Sequence, residues 1–563
     1  MTDRAYPHIL EKLRLLYGEQ APDVLAGLLE IIGNAQPLRA PLAVSEQDIM
    51  LITYGDMVQR RGEAPLKTLR RFLDDTLRPA VNCVHILPFY PYSSDDGFSV
   101  IDYFEVNPDL GTWDDISAFT DNYRLMFDGV FNHISQHSKW FQNFLRGVPP
   151  YTDYFAVVDD PTIDLSAVVR PRTLPLLYPF DTAAGTKYVW CTFSQDQVDL
   201  NFANPRVLLE VMQALLFYVR MGADFIRLDA IAFIWKEIGT DCIHRPQTHA
   251  IVQLLRDALD IAAPRTILIT ETNVPHAENI SYFGNGSNEA QMVYNFALPP
   301  LALHTLRTGD ASALTAWAAT LKRPSDRATF FNFTASHDGI GVRPVTGILR
   351  QSEIDALVAL ALEHGGRVSS RTLPDGSQSP YELNISYFDA ITHPDIAARD
   401  PDTAVARFMV SQSIALTLMG MPGIYFHSLF GSRNHTIKEP PRAINRAKLD
   451  ADALRAELRD ETSIRYKVFG RYLMLLNARR QEPAFHPLGD QRVLDAGPAL
   501  FALERTPPGG GIPVLAVHNV TSGPVSFPLP AGQWRDLITG QRCAGGASLN
   551  LAPYQIAWLK YTN

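Results

Sequence analysis

Cysteine is scarce in this chain of 563 residues. Four residues, Cys83, Cys191, Cys242 and Cys543, are scattered along it with no CxxC pair. That argues against a disulfide framework and makes reduced, mostly buried thiols in a cytoplasmic protein the expectation. Long apolar runs are lacking too. None reaches the roughly 18 residues of a membrane-crossing helix, so no membrane partner is expected. The opening MTDRAYPHILEKL has no apolar region of a secretory signal. Basic runs are missing as well. Lys and Arg number 50 against 60 Asp and Glu, a formal net charge of −10. No basic stripe with interleaved aromatics appears, so no nucleic-acid partner is expected. Repeats and low-complexity segments are absent. What is present, 46% hydrophobic and 20% charged residues, is the balance of a globular protein with a large core.

Residues 1–47 read as a helical extension, because ILEKLRLLYG and VLAGLLEIIGNA carry apolar residues at i, i+3, i+4 spacing. From residue 48 the rhythm changes. Short apolar runs alternate with amphipathic stretches: DIMLITYG, AVNCVHILPF, YRLMFDGVFNH, ADFIRLDAIA, TILITETN, MVYNFAL, ATFFNFTASHD and MPGIYFHS. Eight β units separated mostly by helical segments predict an α/β fold, a (β/α)8 TIM barrel over 48–480. Intervals at about 135–200 and 339–400 are too long for simple loops and read as inserted subdomains. Both leave the C-terminal ends of barrel strands, where barrel enzymes place their active sites. From 481 to 563 short alternating segments between Gly and Pro turns predict a C-terminal antiparallel β domain.

Acidic residues at the ends of these strands draw attention. Arg227 and Asp229 are two apart on a strand and share a face. An arginine there lowers a carboxylate pKa and keeps it ionised, as a nucleophile requires; a structural ion pair is the competing reading. Glu271 emerges from the apolar run ILIT, which raises its pKa and suits a group that carries a proton near neutrality; a solvated strand-end glutamate competes. His337 and Asp338 precede glycine, and Asp128, Asn132 and His133 end the third strand, a polar set suited to sugar hydroxyls. Two carboxylates are the working parts of glycoside chemistry.

FDGVFNH, FIRLDAIAF, ITETN and FTASHD resemble, in order and spacing, the four signature regions of the α-amylase superfamily, glycoside hydrolase family 13. The resemblance implies Asp229 as nucleophile, Glu271 as general acid/base and Asp338 as transition-state stabiliser, with Arg227, His133 and His337 holding the nucleophile or the sugar. Longer segments, among them VHILPFYPYSSDDGFSVIDY, VWCTFSQDQVDLN, SHDGIG and AINRAKL, look like the sucrose phosphorylase subfamily over about residues 48–475. In that group Asp95 and Arg446 close the pocket behind glucose, and Phe98 stacks on it. The chain departs from sucrose phosphorylases at Phe233, Asn273 and Glu382, all on the phosphate and acceptor side. The N-terminal extension, FIWKEIGT, ETNVPH and GSRN…AINR are similar to the glucosylglycerate phosphorylase branch. Sucrose, glucosylglycerol and sucrose 6-phosphate phosphorylases are the alternatives.

The resemblance implies retaining transfer of a glucosyl unit through a covalent enzyme, from a small sugar substrate to inorganic phosphate. Carboxylates about 5–5.5 Å apart are expected for it. Both glycerate and phosphate are anions, so Arg170, Arg172, Lys236, Arg343 and Arg433 are candidate partners in the rim loops, with Lys236 and Arg172 foremost. No cofactor is needed and no metal is expected. Dimers are common among related phosphorylases, which makes a homodimer the oligomeric expectation.

Overall fold

The structure, a computed structural model, describes residues 6–35, 43–373, 375–435, 440–546 and 548–562. Positions 1–5 and 36–42 of the N-terminal extension lie outside these.

Eight strands close into a barrel: β1 (Met50–Thr53), β2 (Cys83–Ile86), β3 (Arg124–Gly129), β4 (Ala223–Leu228), β5 (Ile267–Thr270), β6 (Met292–Tyr294), β7 (Thr329–Phe333) and β8 (Met421–Tyr425). Each apolar run named above supplies one of them. All pairings are parallel, and the ring closes where Met50 of β1 faces Gly423 of β8. Every strand residue is buried. Strands covered on both faces read as continuous apolar runs rather than alternations, which is why these eight stood out.

Helices α1 (Pro7–Tyr17) and α2 (Ala21–Ala35) pack on the barrel's outer layer, against α3 (Pro205–Arg220) and α4 (Pro246–Ala262). Lys12 Nζ lies 2.5 Å from Asp257 Oδ2, and the Tyr17 hydroxyl donates to the Phe202 carbonyl. α3 starts where the Asn204 side chain accepts the Arg206 N–H and Pro205 takes the first turn, a strong start signal.

Between β3 and β4 the chain folds a three-stranded antiparallel sheet (Val157–Val158, Leu177–Thr182, Gly185–Trp190) and returns through Gln197–Asp199, which pairs with His133–Ser135. Between β7 and β8 a second three-stranded sheet forms from Ile340–Gly341, Arg367–Thr372 and Gln378–Asn384. After helix α5 (Ile464–Arg480) comes a six-stranded antiparallel sheet running from Asp490 to Thr562. It is fastened to the barrel by buried polar contacts: Trp558 Nε1 donates to Ser413 Oγ at 3.0 Å, and His518 Nε2 lies 2.8 Å from the same oxygen. The four cysteines are unpaired. No helix among the described residues is long and apolar enough to cross a membrane.

Candidate active site

One buried guanidinium organises the C-terminal mouth of the barrel. Arg227 on β4 sits in register with Asp128 on β3. Its Nη1 donates to Asp128 Oδ1 at 2.5 Å and to Asp229 Oδ1 at 2.8 Å, and its Nη2 lies 3.7 Å from Glu271 Oε2. Asp128 is itself held by His85 Nε2 at 2.7 Å, both fully buried. Asp229 and Glu271 follow the last residues of β4 and β5, and the Glu271 N–H donates to the Leu228 carbonyl. The chain then makes a turn that the sequence does not announce. Ala230 takes the left-handed conformation, φ 47°, and its N–H donates to Glu271 Oε2 at 3.1 Å. A non-glycine residue in that region is held by its surroundings and clusters at functional sites.

Burial sets the charges. It pushes Glu271 up to about 7, with Arg227 opposing and Asp229 and Asp338 adding. For Asp229 the expectation that Arg227 prevails is overturned: burial lifts this carboxyl above its ordinary value, against Arg227 and His133. Asp229 receives the direct hydrogen bond from Arg227 and Glu271 does not, so Glu271 is the carboxyl of the two that burial carries toward neutrality. A pair divided this way gives one acid and one anion.

Asp338 lies past the end of β7 beside a residue the sequence reading missed. Arg442 places Nη1 2.7 Å from Asp338 Oδ1 and grips Glu382 with two hydrogen bonds, Nε to Oε2 at 3.0 Å and Nη2 to Oε1 at 2.6 Å. Burial would raise the Asp338 pKa, but Arg442, His337, Arg446 and Arg227 hold it well below the carboxylate range. Arg446 does not line the cleft. It donates to the His337 carbonyl and to Asp96 Oδ2, each at 2.7 Å, and stands 4.0 Å from Asp95. Asp95 and Arg446 were expected to close the pocket together; of the two only Asp95 lines the cleft, while the short pair of Arg446 is with Asp96. Asp95, Asp96 and Gly97 all have positive φ. At Gly97 (φ +111°) a Cβ would meet the Pro88 carbonyl at 2.5 Å, so only glycine fits. Asp196, also missed, pins this turn by accepting from Ser93, Ser94 and Ser99. Phe98 stacks on His337 at 4.7 Å and 5°. His133 Nε2 lies 2.9 Å from the Phe98 carbonyl. Asp95, Phe98, His133, Asp229, Glu271, His337 and Asp338 thus face one cleft, with Arg227 behind them.

Residues 78–362 match the α-amylase catalytic domain family. The chain belongs to the α-amylase family. Among curated relatives it is similar to a glucosylglycerate phosphorylase of Allomeiothermus silvanus, 51% identical over 99% of each chain. One from Spirochaeta thermophila is 48% identical over 92% of this chain and 90% of that protein. Among solved structures, the sucrose 6F-phosphate phosphorylase of Thermoanaerobacter thermosaccharolyticum superposes with a TM-score of 0.73, at 24% identity, over 85% of this chain and 95% of that one; that likeness speaks for the fold.

The residues expected on the acceptor side of this α-amylase family cleft divide. Phe233, Asn273, Glu382 and Arg172 line the cleft. Lys236 does not: its ammonium donates to Asn132 Oδ1 and the Phe233 carbonyl at 2.7 Å and lies 2.7 Å from buried Asp199. Its charge neutralises that carboxylate and is not available to a substrate anion, which corrects its assignment as a substrate partner. Arg170 caps the Leu174 carbonyl, and Arg433 pairs with Asp389; neither lines the cleft. Tyr381 was missed. Ser369 pairs with Glu382 but Ser370 with Pro380, so Tyr381 is the extra residue of a β-bulge, which re-aims a side chain. Arg172 lies over its ring at 5.5 Å and over Phe193 at 5.6 Å. Sequence signals existed for Arg442, four residues before Arg446 in PRAINR, and for Tyr381, beside Glu382. None existed for Ala230. Among the described residues no group of three or more His, Cys, Asp and Glu could hold a metal ion.

Proposed function

We propose that the protein is a retaining glycoside phosphorylase, converting an α-glucoside, 2-O-α-glucosylglycerate, and phosphate into α-glucose 1-phosphate and glycerate. The observation that carries the reading is the pairing of a buried Glu271, whose carboxyl burial raises to about 7, with an Arg227-bound Asp229 in a chain similar over nearly its full length to glucosylglycerate phosphorylases. Glucose occupies the end of the cleft near Asp95, Phe98 and His337. Glu271 gives its proton to the glycosidic oxygen while Asp229 attacks the anomeric carbon. The carbon–oxygen bond breaks, glycerate leaves, and a β-glucosyl ester forms on Asp229. A phosphate oxygen then attacks the same carbon and expels Asp229. Two inversions retain the α configuration, and the covalent step divides one barrier into two. Asp338, kept ionised by Arg442, faces the positive charge of the transition state.

The test is an acceptor screen. Purified protein receives α-glucose 1-phosphate with glycerate, glycerol, fructose or fructose 6-phosphate, and phosphate release is followed. Glycerate is expected to give the highest kcat/KM. Preference for another acceptor overturns the substrate assignment, and glucose release at equal rates with and without phosphate overturns the phosphorylase reading.

A further inference from the structure

Three adjacent barrel strands meet behind the nucleophile. His85 on β2, Asp128 on β3 and Arg227 on β4 are all buried, and none of them lines the cleft. Each carboxylate oxygen of Asp128 meets one donor on a neighbouring strand: Oδ1 meets Arg227 Nη1 at 2.5 Å, and Oδ2 meets His85 Nε2 at 2.7 Å. The same Nη1 donates to Asp229 Oδ1 at 2.8 Å. Asp128 and Asp229 thus compete for one terminal nitrogen. The guanidinium also lies over the rings of Phe98 and Tyr294, at 5.6 and 5.5 Å. The other ring nitrogen of His85, Nδ1, is buried with no hydrogen-bond partner among the described residues. The polar contact of this side chain is therefore with Asp128 alone, and the mechanism above leaves it unused.

A carboxylate in an ion pair only accepts hydrogen bonds, so His85 Nε2 is the donor to Asp128. A carboxylate that already holds one donor competes less strongly for the next. We infer that His85 is a positioning residue for the reaction. By satisfying Asp128 Oδ2 it limits the hold of Asp128 on Arg227 Nη1, and so leaves that nitrogen to orient Asp229 toward the anomeric carbon. This rests on the function proposed above, in which Asp229 attacks the sugar. Without the His85 donor, Asp128 Oδ2 is a buried oxygen with no partner, which is costly in a site of low dielectric. Its remaining ion-pair partner among the described residues is Arg227. The guanidinium is then drawn toward Asp128, and Asp229 loses the bond that fixes its attacking carboxylate. His85 lies outside the cleft lining, so its loss bears on attack and not on sugar binding.

Steady-state kinetics of His85→Met and His85→Gln in the presence of phosphate, with 2-O-α-glucosylglycerate and with α-glucosyl fluoride as donors, test it. The first variant fills the space without a donor; the second carries an amide N–H to the place of Nε2. His85→Met is expected to lower kcat about tenfold or more, one lost hydrogen bond to a charged group. The factor is expected to be the same for both donors, because attack by Asp229 is common to them, while the donor KM stays near that of wild type. His85→Gln is expected to recover most of the loss. If His85→Met does not fold, His85→Asn, whose amide falls short of Asp128, takes its place. A kcat equal to wild type, a loss carried by KM, a loss with the O-glucoside that spares the fluoride, or a folded His85→Gln no better than His85→Met overturns the assignment. Substantial turnover of both donors by Asp229→Asn overturns the nucleophile and this inference together. An inactive Asp229→Asn beside a fully active His85→Met overturns this inference alone.

Discussion

Glu271 permits a test that separates its chemistry from its charge. Burial, helped by Asp229 and Asp338 and opposed by Arg227, moves its carboxyl from an ordinary 4.5 to about 7. At 1.36 kcal/mol per unit, the protonated form is favoured by about 3 kcal/mol. Protonated Glu271 is the form that serves the departing acceptor, so kcat/KM for phosphorolysis of an α-glucoside is expected to fall tenfold per pH unit above about 7. Fluoride leaves without a proton, so capture of the glucosyl unit from α-glucosyl fluoride is expected to lack that alkaline limb. Glu271→Gln is expected to lose about 10²–10⁴-fold with the O-glucoside, the range of general acid catalysis, and far less with the fluoride. The assay is steady-state kinetics with both donors from pH 5 to 9. The same limb with the fluoride, or its survival in Glu271→Gln, would refute the reasoning. The sign carries over to stability. A carboxyl raised in the folded state stabilises it below the unfolded pKa, and that contribution is lost as pH rises through about 7. Glu271→Gln is expected to flatten the melting temperature across that window.

Asp229→Asn is expected to abolish turnover while circular dichroism is unchanged; substantial turnover would show that another group attacks the sugar. Glu382→Gln removes one of two charged hydrogen bonds to Arg442, about 1.5–3 kcal/mol, so kcat/KM is expected to fall by tens of fold; unchanged kinetics would mean that Arg442 holds Asp338 without it. Lys236→Met leaves the Asp199 carboxylate buried without its cation, at about 3–5 kcal/mol; the half-life at elevated temperature is expected to shorten sharply, and an unaltered one would place a compensating charge nearby. Gly97→Ala forces a Cβ against the Pro88 carbonyl and is expected to dislodge Asp95, read as a loss of kcat/KM for every donor.

Much of the fold was legible because barrel strands are local events. Each run such as CVHI or ILIT is buried on both faces and declares itself by continuous hydrophobicity, and a carboxylate after the run stands at the barrel mouth wherever its partners come from. That is why Asp229, Glu271 and Asp338 stood out as strand-end candidates, to which the resemblance to the α-amylase superfamily gave their expected roles. The errors and omissions lie where distant segments meet. Lys236 looked like a free rim cation, but Asp199 from an insertion 37 residues earlier consumes its charge. Arg446 was expected to close the pocket with Asp95, but it lies outside the cleft lining, bonded to Asp96 and the His337 carbonyl. Arg442 joins Glu382 to Asp338 across the loops before and after β8, and the bulge that turns Tyr381 exists only once two strands pair. Sequence by itself determined the barrel, the order of its strands and which carboxylates stand at their ends, since hydrophobic pattern and strand periodicity are carried by neighbours along the chain. Tertiary structure alone decided how far burial raises each of those carboxyls and which cation each one meets, because burial and charge pairing depend on atoms that only folding brings together.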